Sequence, residues 1–423
     1  MPSAPPGPFR PGFWRSPLRG PWLTSALGSI LLILIAIVAT TGFLSHAAYM
    51  PDLGHNAIVP KDRDLPWIAS FFDWPTSPSW LYGLTQGLHT NVGLIAIPFL
   101  LAKLWSVIPR LFAFPPVKSP AQAIERLSIA LLVSSSVFEL ATGVVNAQYW
   151  YPFKFNFVVA HYYGAIVFVA SLVLHVVVKL PVIRKAYRER GVLKPLRDDL
   201  ARTKPEPRAD DDGLVTPNPA EPTLSRRGLF AFAGAGAGVL LVANVGQSVG
   251  GPLRELAFLA PRREIVPGDF PINKTARAAR VTHAMTGDGY RLTLRMGDQE
   301  ITLTREQLLA LPQRTAKLPI ACVEGWTTRQ EWTGVPLSLL AEKAGAPGAS
   351  EVLVESLQPA GVLRRAALTG GQIAATDALL ALKVNGHDLS LDHGYPARII
   401  VPALPGVHNT KWVGELTFTP RAA

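Results

Sequence analysis

Phe155-Asn156-Phe157-Val158-Val159-Ala160-His161-Tyr162-Tyr163-Gly164-Ala165-Ile166-Val167-Phe168-Val169-Ala170-Ser171-Leu172-Val173-Leu174-His175-Val176-Val177-Val178 runs from Lys154 to Lys179 without a charged side chain. As a helix rising 1.5 Å per residue it is ~36 Å long, enough to cross the ~30 Å hydrocarbon layer of a bilayer. His161 and His175 stand 14 residues apart in it. At about 100° per residue that spacing places both rings on one face, ~21 Å apart along the axis. Imidazoles in lipid need partners, and imidazole is a common axial ligand of haem iron.

Four further stretches read the same way: Gly20–Pro51, Trp74–Ala102, Leu127–Phe153 with Glu139 as its one charge, and Gly228–Leu253. The whole chain agrees, with 48% hydrophobic and 17% charged residues against about 25% charged in soluble domains. Its 423 residues predict two or three domains. The single cysteine excludes an intrachain disulfide, a cysteine-rich zinc site, an iron–sulfur cluster and a c-type haem.

The net charge of +11 points away from nucleic acid, because the basic residues cluster in short spacers between apolar runs. Twelve of the 41 Lys and Arg lie in residues 179–227. The positive-inside rule gives an internal N-terminus, four spans returning inside and a fifth leading out, so that everything after about residue 250 lies outside the cytoplasm. Residues 181–224, rich in proline and charge and including Asp210–Asp212, read as a disordered cytoplasmic linker. Ser225-Arg226-Arg227-Gly228-Leu229-Phe230 before the fifth run resembles a twin-arginine export signal, which implies the twin-arginine export machinery as a partner. An ordinary positively flanked anchor is the alternative.

Counting back from Lys103 and Lys179, His89 and His161 stand ~21 and ~27 Å above the inner edge, and His175 only ~6 Å. One b haem between His89 and His161 is therefore expected, with His175 and His46 as further candidate iron ligands and a second haem left open. Glu139, mid-span, is a candidate for proton transfer or a quinone site, or else a carboxyl hydrogen-bonded between helices. Gln86-Gly87-Leu88-His89, Thr142-Gly143 and His161-Tyr162-Tyr163-Gly164-Ala165 with His175 resemble the bacterial four-helix cytochrome b family. That resemblance implies an all-α transmembrane four-helix bundle over residues 1–180 and exchange of electrons with the quinone pool. In the family span one supplies an inner histidine. Here Pro17-Leu18-Arg19-Gly20-Pro21-Trp22 has none.

Residues 225–253 then form the signal anchor and fifth helix, and 254–423 a globular domain. Tyr290–Met296 and Glu300–Thr304 alternate as a hairpin turning at Gly297-Asp298. Arg305–Leu311 and Pro336–Ala344 read as short helices. Leu318–Cys322 reads as an extended segment, and Val352–Glu355, Ala397–Val401 and Glu415–Phe418 as strands, giving a mixed α+β class. Cys322 is a core residue, a nucleophile or a metal ligand.

Cys322-Val323-Glu324-Gly325-Trp326, Trp332-Thr333-Gly334-Val335-Pro336-Leu337, Leu379–Gly386, Asp392-His393-Gly394-Tyr395-Pro396-Ala397-Arg398 and Asn409-Thr410-Lys411-Trp412 follow in one order. Together they resemble the sulfite-oxidase-like molybdopterin oxidoreductases, nearest the branch that includes periplasmic methionine-sulfoxide reductases. The resemblance implies an enzyme with a molybdenum–molybdopterin cofactor. Cys322 would ligate molybdenum, and Glu324 would face the metal. His393 and Arg398 would bind the pterin, and Lys411 its phosphate, with Asn409, Thr410 and Asn273 adding contacts. His408 stands where many members carry an arginine near the substrate, and Ser356–Gly361 departs from the usual pattern.

The implied protein is a multi-pass enzyme of the bacterial cytoplasmic membrane with a periplasmic C-terminal domain. It passes electrons between quinone and molybdenum through b haem and reduces a small S- or N-oxide. The alternatives are oxidation of sulfite or a related oxyanion with electrons delivered to quinone, and a haem carrier whose outer domain is not catalytic.

Overall fold

A computed structural model of the 423-residue chain describes residues 4–51, 53, 56, 73–117, 119–207, 213–262 and 270–421. Among the described residues five helices are long and apolar enough to cross a membrane. They are α1 (Pro21–Ala48), α2 (Leu81–Leu111), α3 (Pro120–Ala147), α4 (Phe157–Arg190) and α5 (Arg226–Val249). Each overlaps one of the five apolar runs, but the bounds shift. Helix α2 starts seven residues into its run and passes Lys103, and α4 passes Lys179 and Pro181 to end at Gly191, whose φ is +73°. A charge ends an apolar run without breaking a helix, which stops instead where the backbone turns left-handed.

The chain divides into two compact units. The first comprises Met1–Ala39, Thr90–Asn146 and Trp150–Ala243. Within it Lys103 Nζ donates to Thr24 O at 2.6 Å, Ser29 Oγ lies 2.8 Å from the Tyr187 hydroxyl, and Lys179 pairs with Glu125 at 2.7 Å. These contacts tie α1 to α2 and α4, and α3 to α4.

Composition reads residues 181–224 as linker, yet their described part is built into this unit. Buried Glu206 accepts from Trp22 N at 2.9 Å and Leu23 N at 3.3 Å, capping the first turn of α1. Arg226, fully buried, donates to Pro17 O at 3.3 Å and Lys204 O at 3.0 Å, with its Nε 3.9 Å from Glu206. The triplet Asp210–Asp212 lies outside the described residues.

The second unit comprises Thr40–His89, Ala147–Tyr149 and Asn244–Ala423. It holds two five-stranded sheets. The strands are β1 (Leu292–Met296), β2 (Gln299–Leu303), β3 (Arg314–Ala321), β4 (Thr327–Pro336), β5 (Glu351–Ser356), β6 (Arg365–Thr369), β7 (Leu379–Val384), β8 (His387–Asp388), β9 (Arg398–Ile400) and β10 (Val413–Thr419). One sheet runs β2-β1-β10-β5-β6, and the other β3-β4-β7-β8 with β9 also on β7. The strands β1 and β10 pair in parallel, and the other pairs are antiparallel.

The expected hairpin is β1–β2, turning on Gly297 at φ +54°. The short helices are α6 (Arg305–Ala310), started by a Thr304/Gln307 capping box, and α7 (Leu337–Lys343), followed by Gly345 at φ +79°. The strand β4 kinks at Gly334, where a Cβ would collide with the Leu380 backbone of β7. Asn56 exchanges two hydrogen bonds with Ala367 of β6, at 2.9 and 2.8 Å, and Trp74 Nε1 donates to Ala403 O at 2.7 Å. These bonds fasten parts of the chain between α1 and α2 to the sheets.

Candidate active site

Strand β3 ends at Ala321, and after a five-residue turn the chain returns as β4 at Thr327. Cys322 opens this turn. Its N–H donates to Trp326 O at 2.9 Å, and Gly325, at φ +95°, donates its N–H to Cys322 O at 2.9 Å. The thiol is buried among Phe270, Leu318, Ile320, Trp326 and Trp332. Burial, and then the nearby Glu324 carboxylate, push its pKa up to about 12. A thiolate here therefore needs a positive partner such as a metal to replace the proton.

Glu324 is buried and fully engaged. Its carboxylate takes a bidentate pair from Arg262, at 2.6 and 3.1 Å, and the Trp326 indole N–H at 3.0 Å. Arg262 also donates to Asn273 O at 3.2 Å and lies over the Tyr149 ring at 4.2 Å. The Asn273 side chain accepts from Lys274 N at 2.8 Å.

A second wall comes from the loop between β9 and β10. Gly406 N donates to Ala321 O at 2.8 Å, which sets the loop beside the Cys322 turn. A side chain at Gly406 would press on that same carbonyl at 3.0 Å. The loop continues through His408, Asn409, Thr410 and Lys411, all buried. Arg398 of β9, also buried, donates to His393 O at 3.0 Å and Asn409 O at 3.1 Å, and stacks over Trp332 at 5.2 Å. The His393 ring stacks on Phe270 at 3.7 Å, and Phe270 meets Trp332 edge-on at 5.7 Å. Through these rings Cys322, His393, Arg398 and Asn409 belong to one cluster.

Residues 279–423 match the family of the oxidoreductase molybdopterin binding domain. They form a sulfite-oxidase-like molybdopterin-binding domain. An uncharacterised oxidoreductase, YuiH, of Bacillus subtilis is 30% identical over 123 residues, which are 29% of this chain and 61% of that protein. Mitochondrial sulfite oxidase of Drosophila melanogaster is 29% identical over 161 residues, covering 32% of this chain and 28% of that one. An NADH nitrate reductase of Volvox carteri is 30% identical over 152 residues, covering 29% of this chain and 18% of that one. The chain thus spans between about a fifth and three fifths of the length of these relatives. Each of these relatives is named an oxidoreductase, an oxidase or a reductase.

The residues of the molybdopterin domain fit an anionic, hydrogen-bonding group. Arg398 Nε, His408 Nδ1, Asn409 Nδ2 and Thr410 Oγ1 are buried without a hydrogen-bond partner among the described residues. Asn409 Oδ1 accepts from Val401 N at 2.8 Å, which leaves its amide nitrogen for another acceptor. Lys411 Nζ donates to the carbonyls of Lys274 and Asp392 and makes no salt bridge among the described residues. Burial and the neighbouring Arg398 cation lower its pKa to about 6, and burial lowers that of Arg398 to about 9. Burial that suppresses the charge of both groups is what an anion beside them would relieve. Among the described residues no three His, Cys, Asp or Glu side chains gather to hold a metal by themselves. Further sulfur ligands from a cofactor suit Cys322.

Arg262, Lys274 and Gln358 belong to this neighbourhood and are not singled out by the sequence. Lys274 Nζ donates to Gln358 Oε1 at 3.0 Å in the stretch that departs from the family pattern. Gln358 N in turn donates to Ser356 Oγ, which donates to Lys411 O at 2.8 Å. No local spacing announces these partners.

The membrane histidines divide between the units. His161 lies in the first. Its Nδ1 is 2.9 Å from Thr142 Oγ1 and 3.2 Å from Glu139 Oε2, which orients the ring. Glu139 packs against Gly164, where a Cβ would collide with it. His175 lies among Lys103, Arg110, Lys179 and Glu125. His89 belongs to the second unit with its ring against Gly42, where a Cβ would stand 2.8 Å from Cε1. His46 is half-buried on α1 in the same unit.

Proposed function

We propose that this chain is a membrane-bound molybdenum oxidoreductase that reduces a small S- or N-oxide with electrons drawn from the quinone pool through b haem. The observation that carries the reading is the Cys322 turn beside a loop holding buried Lys411, with Arg398, His408, Asn409 and Thr410 each offering a buried polar atom without a partner among the described residues. The molybdenum–pterin group, when bound, supplies two-electron oxygen-atom transfer. Cys322 would hold it by its thiolate, Arg398 and Lys411 would neutralise its phosphate, and His393, Asn409, Thr410 and Asn273 would orient its pterin. Burial lowers the His408 pKa to about 4, so the ring is neutral near pH 7. A neutral His408 donates one hydrogen bond to a substrate oxygen without adding a charge. Trp326 and Arg262 fix the Glu324 carboxylate beside the turn.

His89 and His161 would hold the haem. Thr142 and Glu139 orient the His161 ring and make its Nε2 a better donor to iron. The five apolar helices support a multi-pass membrane protein. The charge pattern supports an outward C-terminal domain at the bacterial cytoplasmic membrane, exported through the Arg226-Arg227 signal.

The test is to reduce the purified chain with a quinol and add oxides in turn. The haem bands should bleach on adding an S- or N-oxide, and the His89→Ala and His161→Ala variants should lack those bands. A second reading, oxidation of sulfite with electrons passed to quinone, is favoured by the sulfite oxidases among the relatives. Haem reduction on adding sulfite, with no oxide active, selects it.

A further inference from the structure

The Cys322 turn is gripped from outside the sheet domain. Gln86 Nε2 of α2 donates to Val323 O at 2.8 Å, and Ser248 Oγ of α5 donates to Gly325 O at 2.7 Å. The two carbonyls flank Glu324, and both helix ends lie in the same compact unit as the turn. The amide of Gln86 cannot rotate freely, because its Oε1 accepts from Ser45 Oγ of α1 at 2.9 Å, and Ser45 Oγ itself lies 3.4 Å from the Tyr82 hydroxyl. Gln86, Ser45 and Tyr82 are buried. A Cβ at Gly87 would stand 3.3 Å from Ser248 Cβ, so glycine is what brings α2 this close to Ser248. Two apolar helices thus donate to the carbonyls either side of Glu324, and a third, α1, buttresses the first of them through Ser45.

We propose that Gln86 and Ser248 are positioning residues for Cys322, acting through the Val323 and Gly325 carbonyls. The proposal rests on the reading of Cys322 as the molybdenum ligand. The turn is also held at the Glu324 side chain, by Arg262 and Trp326. Its own two backbone bonds close the loop on itself, whereas Gln86 and Ser248 fix where the loop stands. His89 follows Gln86 by one helical turn, ~4.5 Å along α2. The helix that grips the thiol's turn is therefore also the one that carries a proposed haem ligand.

The test uses the full chain with its cofactors in detergent. Gln86→Glu keeps the size and the acceptor for Ser45 but removes the donor to Val323, and Ser248→Ala removes the donor to Gly325. Each should speed amide exchange at Cys322 and Gly325 at least tenfold, shift the Mo(V) electron-resonance g-values, and leave molybdenum content within twofold of the parent. Ser248→Thr keeps the hydroxyl and should restore both the exchange rates and the spectrum. An unchanged Mo(V) spectrum in both donor-deleted variants overturns the proposal, as does a rise in exchange spread evenly over β1–β10. Cys322→Ser separates the two claims. Loss of the parent Mo(V) signal there upholds the ligand assignment whatever the other variants do, and its retention rejects the assignment itself.

Discussion

Glu324 shows how far a single residue's role is set by partners distant in sequence. The sequence places it two positions after Cys322, facing the metal. The structure gives its carboxylate to Arg262 and Trp326, with Arg262 62 residues upstream. Glu324→Gln should leave the guanidinium without its counter-charge and cost about 3 kcal/mol, read as a lowered Tm of the full chain. An unchanged Tm would show the pair to be dispensable. Lys411 makes a pH prediction. Its folded pKa is about 6, below the ordinary 10.5, so between those values the unfolded chain binds a proton that the folded chain does not. Stability of molybdenum-free protein should therefore rise with pH from 6 toward 9. Lys411→Met should flatten that slope in thermal melts, and an unaltered slope would place the titration elsewhere.

Among the elements, those defined by local rules were legible. The β1–β2 hairpin follows from alternation around Gly297-Asp298, and α6 from the Thr304/Gln307 box. The strands β4 and β7 carry family motifs but no clean alternation, because β7 is buried on both faces except at Lys383. Their pairing across some fifty residues is a tertiary fact, as is the capping of α1 by Glu206. Arg226 and Arg227, equal in the sequence, differ in the structure: the first is buried in the α1 and α5 surroundings and the second is exposed. Arg226→Lys should lower stability by about 1–3 kcal/mol through lost buried hydrogen bonds, whatever its effect on export. Arg227→Lys should leave the melting curve in place and, if the pair is read for export, abolish protease access to the C-terminal domain in spheroplasts. A domain still exposed and active in Arg227→Lys would reduce the arginines to topological charge.

At the scale of the whole molecule, five helices long and apolar enough to cross a membrane and a match to the molybdopterin-binding family stand among the described residues of one chain, and the proposed function couples the two. The histidines were legible as candidates because polar rings are rare in such runs. The thiol was legible because it is the only one. Arg398, His408, Asn409 and Thr410 were legible through the family motifs, but that their buried polar atoms lack partners among the described residues was not, since that follows from how β9, β10 and the loop between them pack beside the Cys322 turn. The account stands on that thiol. Molybdenum content and reduced-haem bands measured together on the purified parent chain and on Cys322→Ser test it most directly. Stoichiometric molybdenum in the parent, its loss in the variant and unchanged haem bands in both are predicted. Molybdenum retained at the parent level in Cys322→Ser would contradict the account.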